Sequence, residues 1–306
     1  MMTIHRVLVI GSILLLLGCV PSFVRKPQDN FKPDDVVPAD QPTAKQLVRF
    51  LNEESAKIDT FHAKDISVDA KVGNDSTPDV SGWLICRKPL DFRLTAKFLG
   101  MSQIDFGSNS ERFWYWIKQS PDQAVVTVSH QDYRNGTRLP FPFQPEWVLE
   151  ALGMAKYDEE ATNFEVKVLA RTFELSELTK SPQGVPVRKV IVMDRRRTIA
   201  PPIPRVKAYQ IRDTNDRVIC AASILETRAV GISKTESIAA VRKLSLEWPE
   251  QKMVMTMTLD SIEINNPPTG KRSTELFTVP TISGYKTIDL ARSSMKPTSS
   301  VRRVGN

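Results

Sequence analysis

The chain has 306 residues, a formal charge of +7 and 25% charged side chains. It is long enough for one large domain or two small ones with a sizeable core. A positive balance would admit a nucleic-acid partner, but the first residues, taken next, read as an export signal, and an exported protein is not expected to meet nucleic acid. A solvated basic surface or attraction to anionic lipid headgroups accounts for the charge.

His5 and Arg6 precede an apolar or small run over residues 7–18. The run is too short to span a bilayer as a helix but suits the apolar region of an export signal, so residues 1–18 read as a signal peptide. It ends Leu16-Leu17-Gly18-Cys19, which resembles the bacterial lipobox. The resemblance implies cleavage after Gly18, lipidation of the Cys19 sulfur and acylation of the new amino terminus, for instance by palmitate. Such a lipoprotein would be held firmly to a membrane. Val20 stands where an aspartate favours inner-membrane retention in enteric bacteria, so the expected address is the periplasmic face of the outer membrane. The alternative is an ordinary secretory signal with a chance cysteine.

Residues 19–43 carry Pro21, Pro27, Pro33, Pro38 and Pro42 and read as an extended tether. Thr43 is the expected N-cap of an amphipathic helix over 44–58, with Leu47, Phe50, Leu51 and Ile58 at helical spacing, packed on a sheet. Period-two alternation then predicts strands over 64–72, 82–86 and 92–98, a fourth from Ile104, and a fifth over 112–118, with Gly107-Ser108-Asn109-Ser110 as a turn. The strand at 112–118 is apolar on both faces, so something must pack on each side, with Trp114 and Trp116 covered by loops or a partner. Further strands are expected at 124–129, 164–169, 172–178, 186–194, 205–212, 217–227, 241–248 and 252–264. Residues 134–145 read as a loop and 146–152 as a short helix closed by Gly153. A final segment at 276–279 precedes a basic, serine-rich, disordered tail over 291–306. Cys86 and Cys220, both in apolar strand contexts, are either a disulfide or two buried thiols.

Several of these pieces resemble, in colinear order, the LolA/LolB-like family of lipoprotein carriers and acceptors. They are Lys57-Ile58-Asp59-Thr60-Phe61-His62-Ala63, Gly82-Trp83-Leu84, Arg87-Lys88-Pro89-Leu90-Asp91-Phe92-Arg93, Phe113-Trp114-Tyr115, and Leu276-Phe277-Thr278-Val279-Pro280 with Gly284. The resemblance covers most of residues 45–285, with a longer middle third. It implies a mainly β (α+β) fold over 44–290, an incomplete antiparallel β-barrel, or half-barrel, of about eleven strands plugged by a few helices. It also implies an apolar cavity between sheet and helices that receives acyl chains. The lipobox places the chain nearer the acceptor branch, which is itself lipid-anchored. Lys88 stands where the carrier has an arginine that latches its helices, and lysine offers a point charge in place of a planar fork of donors. The acceptor's exposed apolar tip residue has no aligned counterpart here.

The residues supply a lining for such a cavity. Met253, Met255, Met257 and Leu259 alternate on one strand, a flexible thioether stripe suited to varied shapes. Leu244, Leu246 and Trp248 form a neighbouring stripe. Phe92, Leu94, Phe98, Ile104, Phe106, Phe113 and Tyr115 continue the surface if strands pair in sequence order. Ordinary core is the other account of the same stripes. Lys88 is the candidate latch, and Trp147 and Leu149, in a segment from Phe141 to Leu152 that could cover the cavity, are the candidate lid residues. Arg195-Arg196-Arg197 and the residues to Pro202 are either a solvated connection or a basic loop over the cavity mouth.

Chemistry is sparse. The three histidines lie far apart, and no metal-ligand spacing, nucleophile elbow or phosphate-cradling loop is present. No catalytic residue, metal or cofactor is therefore expected. The expected partners are a membrane through the lipid anchor, acyl chains of lipoproteins or phospholipid, and another Lol-type carrier, with the chain a monomer. Two alternatives stay open: a structural or interaction lipoprotein whose barrel is filled by its own side chains, and an enzyme with a polar cluster in the cavity.

Overall fold

The computed structural model describes residues 42–294 apart from internal stretches at 77–79, 119–122, 138, 140–144, 161–162, 182–183, 196–204, 270–272 and 274. The expected signal peptide, Cys19, the expected tether to residue 41, Phe141, Phe143, the basic stretch from Arg196 to Pro202 and the tail from 295 lie outside the described residues.

Helix α1 (Ala44–Ala56) starts at Thr43, whose hydroxyl accepts from the Gln46 amide while the Gln46 side chain accepts from the Thr43 amide. This capping box satisfies amide groups that the first turn leaves without partners. Leu47, Val48, Leu51 and Ser55 form its buried face, the spacing that an apolar stripe at 3.6 residues per turn dictates.

Fifteen strands form one sheet among the described residues, against the eleven or so expected. In chain order they are β1 (Thr60–Val72), β2 (Asp75–Ser76), β3 (Val80–Arg87), β4 (Asp91–Phe98), β5 (Met101–Ser108), β6 (Arg112–Ile117), β7 (Ala124–Ser129), β8 (Phe164–Val168), β9 (Thr172–Lys180), β10 (Pro186–Asp194), β11 (Val206–Arg212), β12 (Val218–Gly231), β13 (Ser237–Trp248), β14 (Met253–Ile264) and β15 (Lys286–Asp289). Short helices α2 (His130–Arg134) and α3 (Pro145–Ala151) fall between β7 and β8, and α4 (Leu290–Ser294) follows β15. Residues 291–294, assigned to the tail by sequence, are thus helical.

The order across the sheet is β15-β7-β6-β5-β4-β3-β1-β14-β13-β12-β11-β10-β9-β8, with β2 paired to β1. Strands β3–β7 and β8–β14 are therefore two meanders, joined where β1 pairs β14 from Phe61↔Ile264 to Val72↔Met253. Every pairing is antiparallel except β15 with β7. A continuous core lies on one face of the sheet, under α1 and α3.

Three local expectations are corrected. Gly107 and Ser108 belong to β5, not to a turn. Gly107 opposes Trp114, whose ring lies so close that a Cβ on residue 107 would sit 2.1 Å from it. The glycine is there to seat an indole. Residues 276–279, which resemble the closing strand of the LolA/LolB-like family, form no strand; the last strand is β15. Arg134, placed in the loop over 134–145, instead ends a turn of helix, His130–Arg134, capped by Ser129.

The segment 275–289 covers the outer face of β4–β7. Arg93 donates to the carbonyls of Glu275 and Leu276, Asn109 to that of Phe277, and the Arg87 guanidinium lies 4.7 Å from the centre of the Phe277 ring. Trp116 meets Tyr285 edge to face. Beneath, Arg93 and Asp105 form a 2.8 Å ion pair, and the Trp114 indole donates to Asp105. The second apolar face of β6 is thus covered by the chain's own C-terminal segment.

Candidate functional site

Helix α3 is too short to be stable alone, so its ends must be fixed by the fold. Gly153, at φ +74°, gives the left-handed residue that ends it. The amides of Gly153 and Met154 return to the carbonyls of Glu150 and Leu149, the paired bonds of a Schellman cap. Trp147, Val148, Ala151 and Leu152 then face the sheet across a cavity of 330 Å³.

The opposite wall comes from three strand groups. Phe92 and Leu94 of β4 and Ile104 and Phe106 of β5 form one side. Leu244, Leu246 and Trp248 of β13 pair with Met257, Met255 and Met253 of β14 to form the other. Val68, Leu84 and Ile117 complete it. Every lining residue is apolar or aromatic. The methionine stripe and its neighbour therefore line a void, because antiparallel pairing sets both period-two rows on the same face of the sheet.

Four expected positions fall elsewhere. Phe113 and Tyr115 are buried in the core, each in ring contact with a cavity residue: Phe92 with Phe113, and Phe106 with Tyr115. They lie on β6, one strand further out. Phe98 ends β4 at the hairpin turn and does not line the cavity. Leu149 is buried in the core on a different side of α3, two residues from Trp147 and so not on its face. Trp147 does line the cavity and meets Trp248 at a 6.3 Å centroid distance.

Lys88 acts on α1. Its ammonium donates to the Ser55 carbonyl at 2.6 Å, and its backbone amide donates to Asp59. The β3–β4 turn is thereby tied to the C-terminal end of α1, where the helix dipole favours a cation. Burial holds the Lys88 pKa below the ordinary lysine range.

A second tie joins α1 to α3. The Asn52 side chain donates to the Tyr157 carbonyl and accepts from the Tyr157 amide, both at 2.8 Å. The Tyr157 hydroxyl donates to Glu150 of α3 at 3.0 Å. Glu150 is 8% exposed, and burial raises its carboxyl pKa. The phenols of Tyr157 and Tyr209 are raised by burial as well, with Glu150 adding to both shifts.

A second cavity, of 310 Å³, lies between α1 and β11–β13. Leu51, Ile58, Tyr209, Ile238 and Val241 form its buried part, and Glu54, Lys57 and Arg205 stand on its rim. The apolar face of α1 was legible in the sequence; the gap left beneath it was not.

A solved structure of similar architecture is a domain assigned to outer-membrane lipoprotein sorting, from Vibrio parahaemolyticus. It is 10% identical, with a TM-score of 0.50 over 76% of this chain and 98% of that one. The fold is LolA-like. A LolA superfamily protein from Nitrosomonas europaea (8% identity, TM-score 0.44, 78% and 98% covered) and a DUF1329 family protein from Desulfovibrio piger (8%, 0.49, 76% and 97%) are matched as well. No family model matches the sequence, and no curated protein does. At such identities the likeness is one of fold.

In this LolA-like sheet the two strand cysteines are free, buried and in separate core clusters, so the disulfide alternative is not realised. Burial raises both thiol pKa values, that of Cys220 to about 12. Ser108 and His130 are close, at 3.3 Å, but the same His130 Nε2 lies 2.7 Å from the Asn109 carbonyl. A carbonyl only accepts, so Nε2 is the protonated nitrogen and does not take a proton from Ser108. Among the described residues no group of three or more His, Cys, Asp or Glu side chains is placed to hold a metal, and no helix is long and apolar enough to cross a membrane.

One exposed feature had no sequence signal. The β4–β5 hairpin turns on Leu99 and Gly100, at φ +48° and +77°, and Leu99 is 82% exposed. A two-residue turn of this kind favours Asn-Gly. Leucine in the left-handed region costs about 1–2 kcal/mol, and here it spends that strain on presenting an apolar side chain to solvent beside Met101, which is 53% exposed.

Proposed function

We propose that the protein is a lipid-anchored envelope protein that binds acyl chains of lipids or lipoproteins non-covalently, as acceptor, carrier or sensor in outer-membrane lipoprotein sorting. The observation that carries this reading is the cavity of 330 Å³ with an entirely apolar lining, in a LolA-like fold. Each methylene moved from water into such a site contributes about 0.8 kcal/mol. The methionines at 253, 255 and 257 let one surface accept chains of different shape.

The strained, exposed apolar tip at Leu99 supports a membrane-facing role, because an apolar side chain held in solvent at a cost in stability gains nothing from its own fold. Anchoring at Cys19 rests on the lipobox. The address at the periplasmic face of the outer membrane and a Lol-type partner carrier belong to the same reading. A non-enzymatic role belongs to the same reading, and a barrel filled by its own side chains is disfavoured by the void.

The test is displacement of cis-parinaric acid from the delipidated Cys19→Ser protein by phospholipid or by a triacylated lipopeptide. Saturable binding with competitive displacement is expected. Absence of saturable binding by folded protein would overturn the proposal.

A further inference from the structure

The two cavities meet at one side chain. Leu152 is 4% exposed and lines both the methionine-rich cavity and the cavity beneath α1; no other described residue lines both. It directly follows the last residue of α3 and precedes Gly153, whose backbone supplies the cap.

The cavities differ in character. The first has only apolar walls. The second has an apolar interior and a charged rim. On that rim Lys57 is held between the carboxylates of Glu54 and Glu236, at 2.7 and 3.7 Å. Arg205 is exposed and has no ion pair among the described residues. At 310 and 330 Å³ each cavity lies at the foot of the range for ligand pockets, about 300–1,000 Å³, and the two joined lie well inside it.

We propose that Leu152 is the partition that sets the length of acyl chain the protein takes. A single chain with an anionic head, carboxylate or phosphate, places that head at Arg205 and its first methylenes in the cavity beneath α1. Its tail reaches the methionine-lined cavity only by displacing Leu152. This deepens, and rests on, the acyl-binding reading above.

The experiment is a series of saturated fatty acids, from about eight to about eighteen carbons, competing with cis-parinaric acid on the Cys19→Ser protein, each buried methylene raising affinity about fourfold. In the parent protein the rise stops where the chain meets Leu152 and resumes only for chains long enough to displace it and enter the methionine-lined cavity. Leu152→Ala removes the partition, and the rise continues to longer chains. Leu152→Val removes one methylene and moves the stop in the same direction by less, which keeps the test open if the alanine variant does not fold. An unchanged stopping length in a folded variant overturns the partition. If the parent protein binds no chain at all, the acyl-binding reading fails, and the partition with it.

Arg205→Ala tests the direction. The parent should prefer a fatty acid to its methyl ester, and the variant should lose that preference. A preference that survives places the head elsewhere and overturns the proposed orientation. Repeating the comparison with a lysophospholipid and its fatty acid separates a phosphate head from a carboxylate: the tighter ligand at equal chain length names the head.

Discussion

Replacing Lys88 with methionine tests whether the β3–β4 turn latches α1. The variant keeps a chain of similar length and loses the 2.6 Å bond to the Ser55 carbonyl. A hydrogen bond from a charged donor contributes about 1.5–3 kcal/mol. Two effects reduce that here. Lys88 is only half-buried, so water partly replaces the lost donor, and the burial that does occur penalises its charge, as the lowered pKa records. The Ser55 carbonyl also keeps a second donor, the Ile58 amide at 2.9 Å. The net loss is then about 1 kcal/mol, or about a fivefold rise in the population with α1 detached. Hydrogen–deuterium exchange reads this directly: amides of α1 should exchange about fivefold faster while those of β4 and β13 do not change. Lys88→Arg keeps the charge and should stay near the parent. Unchanged exchange in α1, or equal loosening of helix and sheet, would refute the latch.

Glu150→Gln should stabilise the protein at neutral pH, read by urea denaturation. Folding raises the Glu150 pKa, so its contribution is complete below the ordinary carboxylate value and is lost as pH rises through the folded value. The advantage of glutamine should therefore be absent near about pH 4 and grow toward about pH 8; a constant difference would contradict the buried-carboxyl account. Gly82→Ala should lower stability by about 3 kcal/mol, because its Cβ would stand 1.8 Å from the Thr95 carbonyl oxygen; a loss within error would show that β3 and β4 can part freely. Leu99→Glu should weaken binding of the Cys19→Ser protein to phospholipid vesicles about tenfold and leave cis-parinaric acid binding in solution unchanged. In that same protein a disulfide-exchange reagent should label neither Cys86 nor Cys220 until urea unfolds the sheet, since burial keeps both as thiols.

Strands were legible wherever period-two alternation ran between strong breakers. Ala124–Ser129 and Pro186–Asp194 were placed to the residue. Gly107 shows where composition misleads: a Gly-Ser-Asn-Ser run looks like a turn, and only the opposing Trp114 reveals why a strand needs glycine there. β15 was missed because a four-residue strand carries too little pattern, and its neighbour β7 was not predictable from sequence order. The methionine stripe was legible as a face, but whether a face is core or cavity depends on how far a helix stands off it. That distance is set by ties such as Asn52 to Tyr157, which join positions far apart in sequence. Leu152 could not have been singled out for the same reason, since its meaning lies in two voids that different elements enclose.

The pairing of β1 with β14 has a consequence for how the chain folds. Each meander can form from neighbours in sequence, but the seam between them brings together segments about two hundred residues apart, a closure that costs roughly 5 kcal/mol in chain entropy before any contact repays it. A sheet fastened this way completes late and slowly. Until that seam closes, β1 and β14 each present an unpaired edge, so the two separate half-sheets are the stage at which another copy of the chain can add a strand.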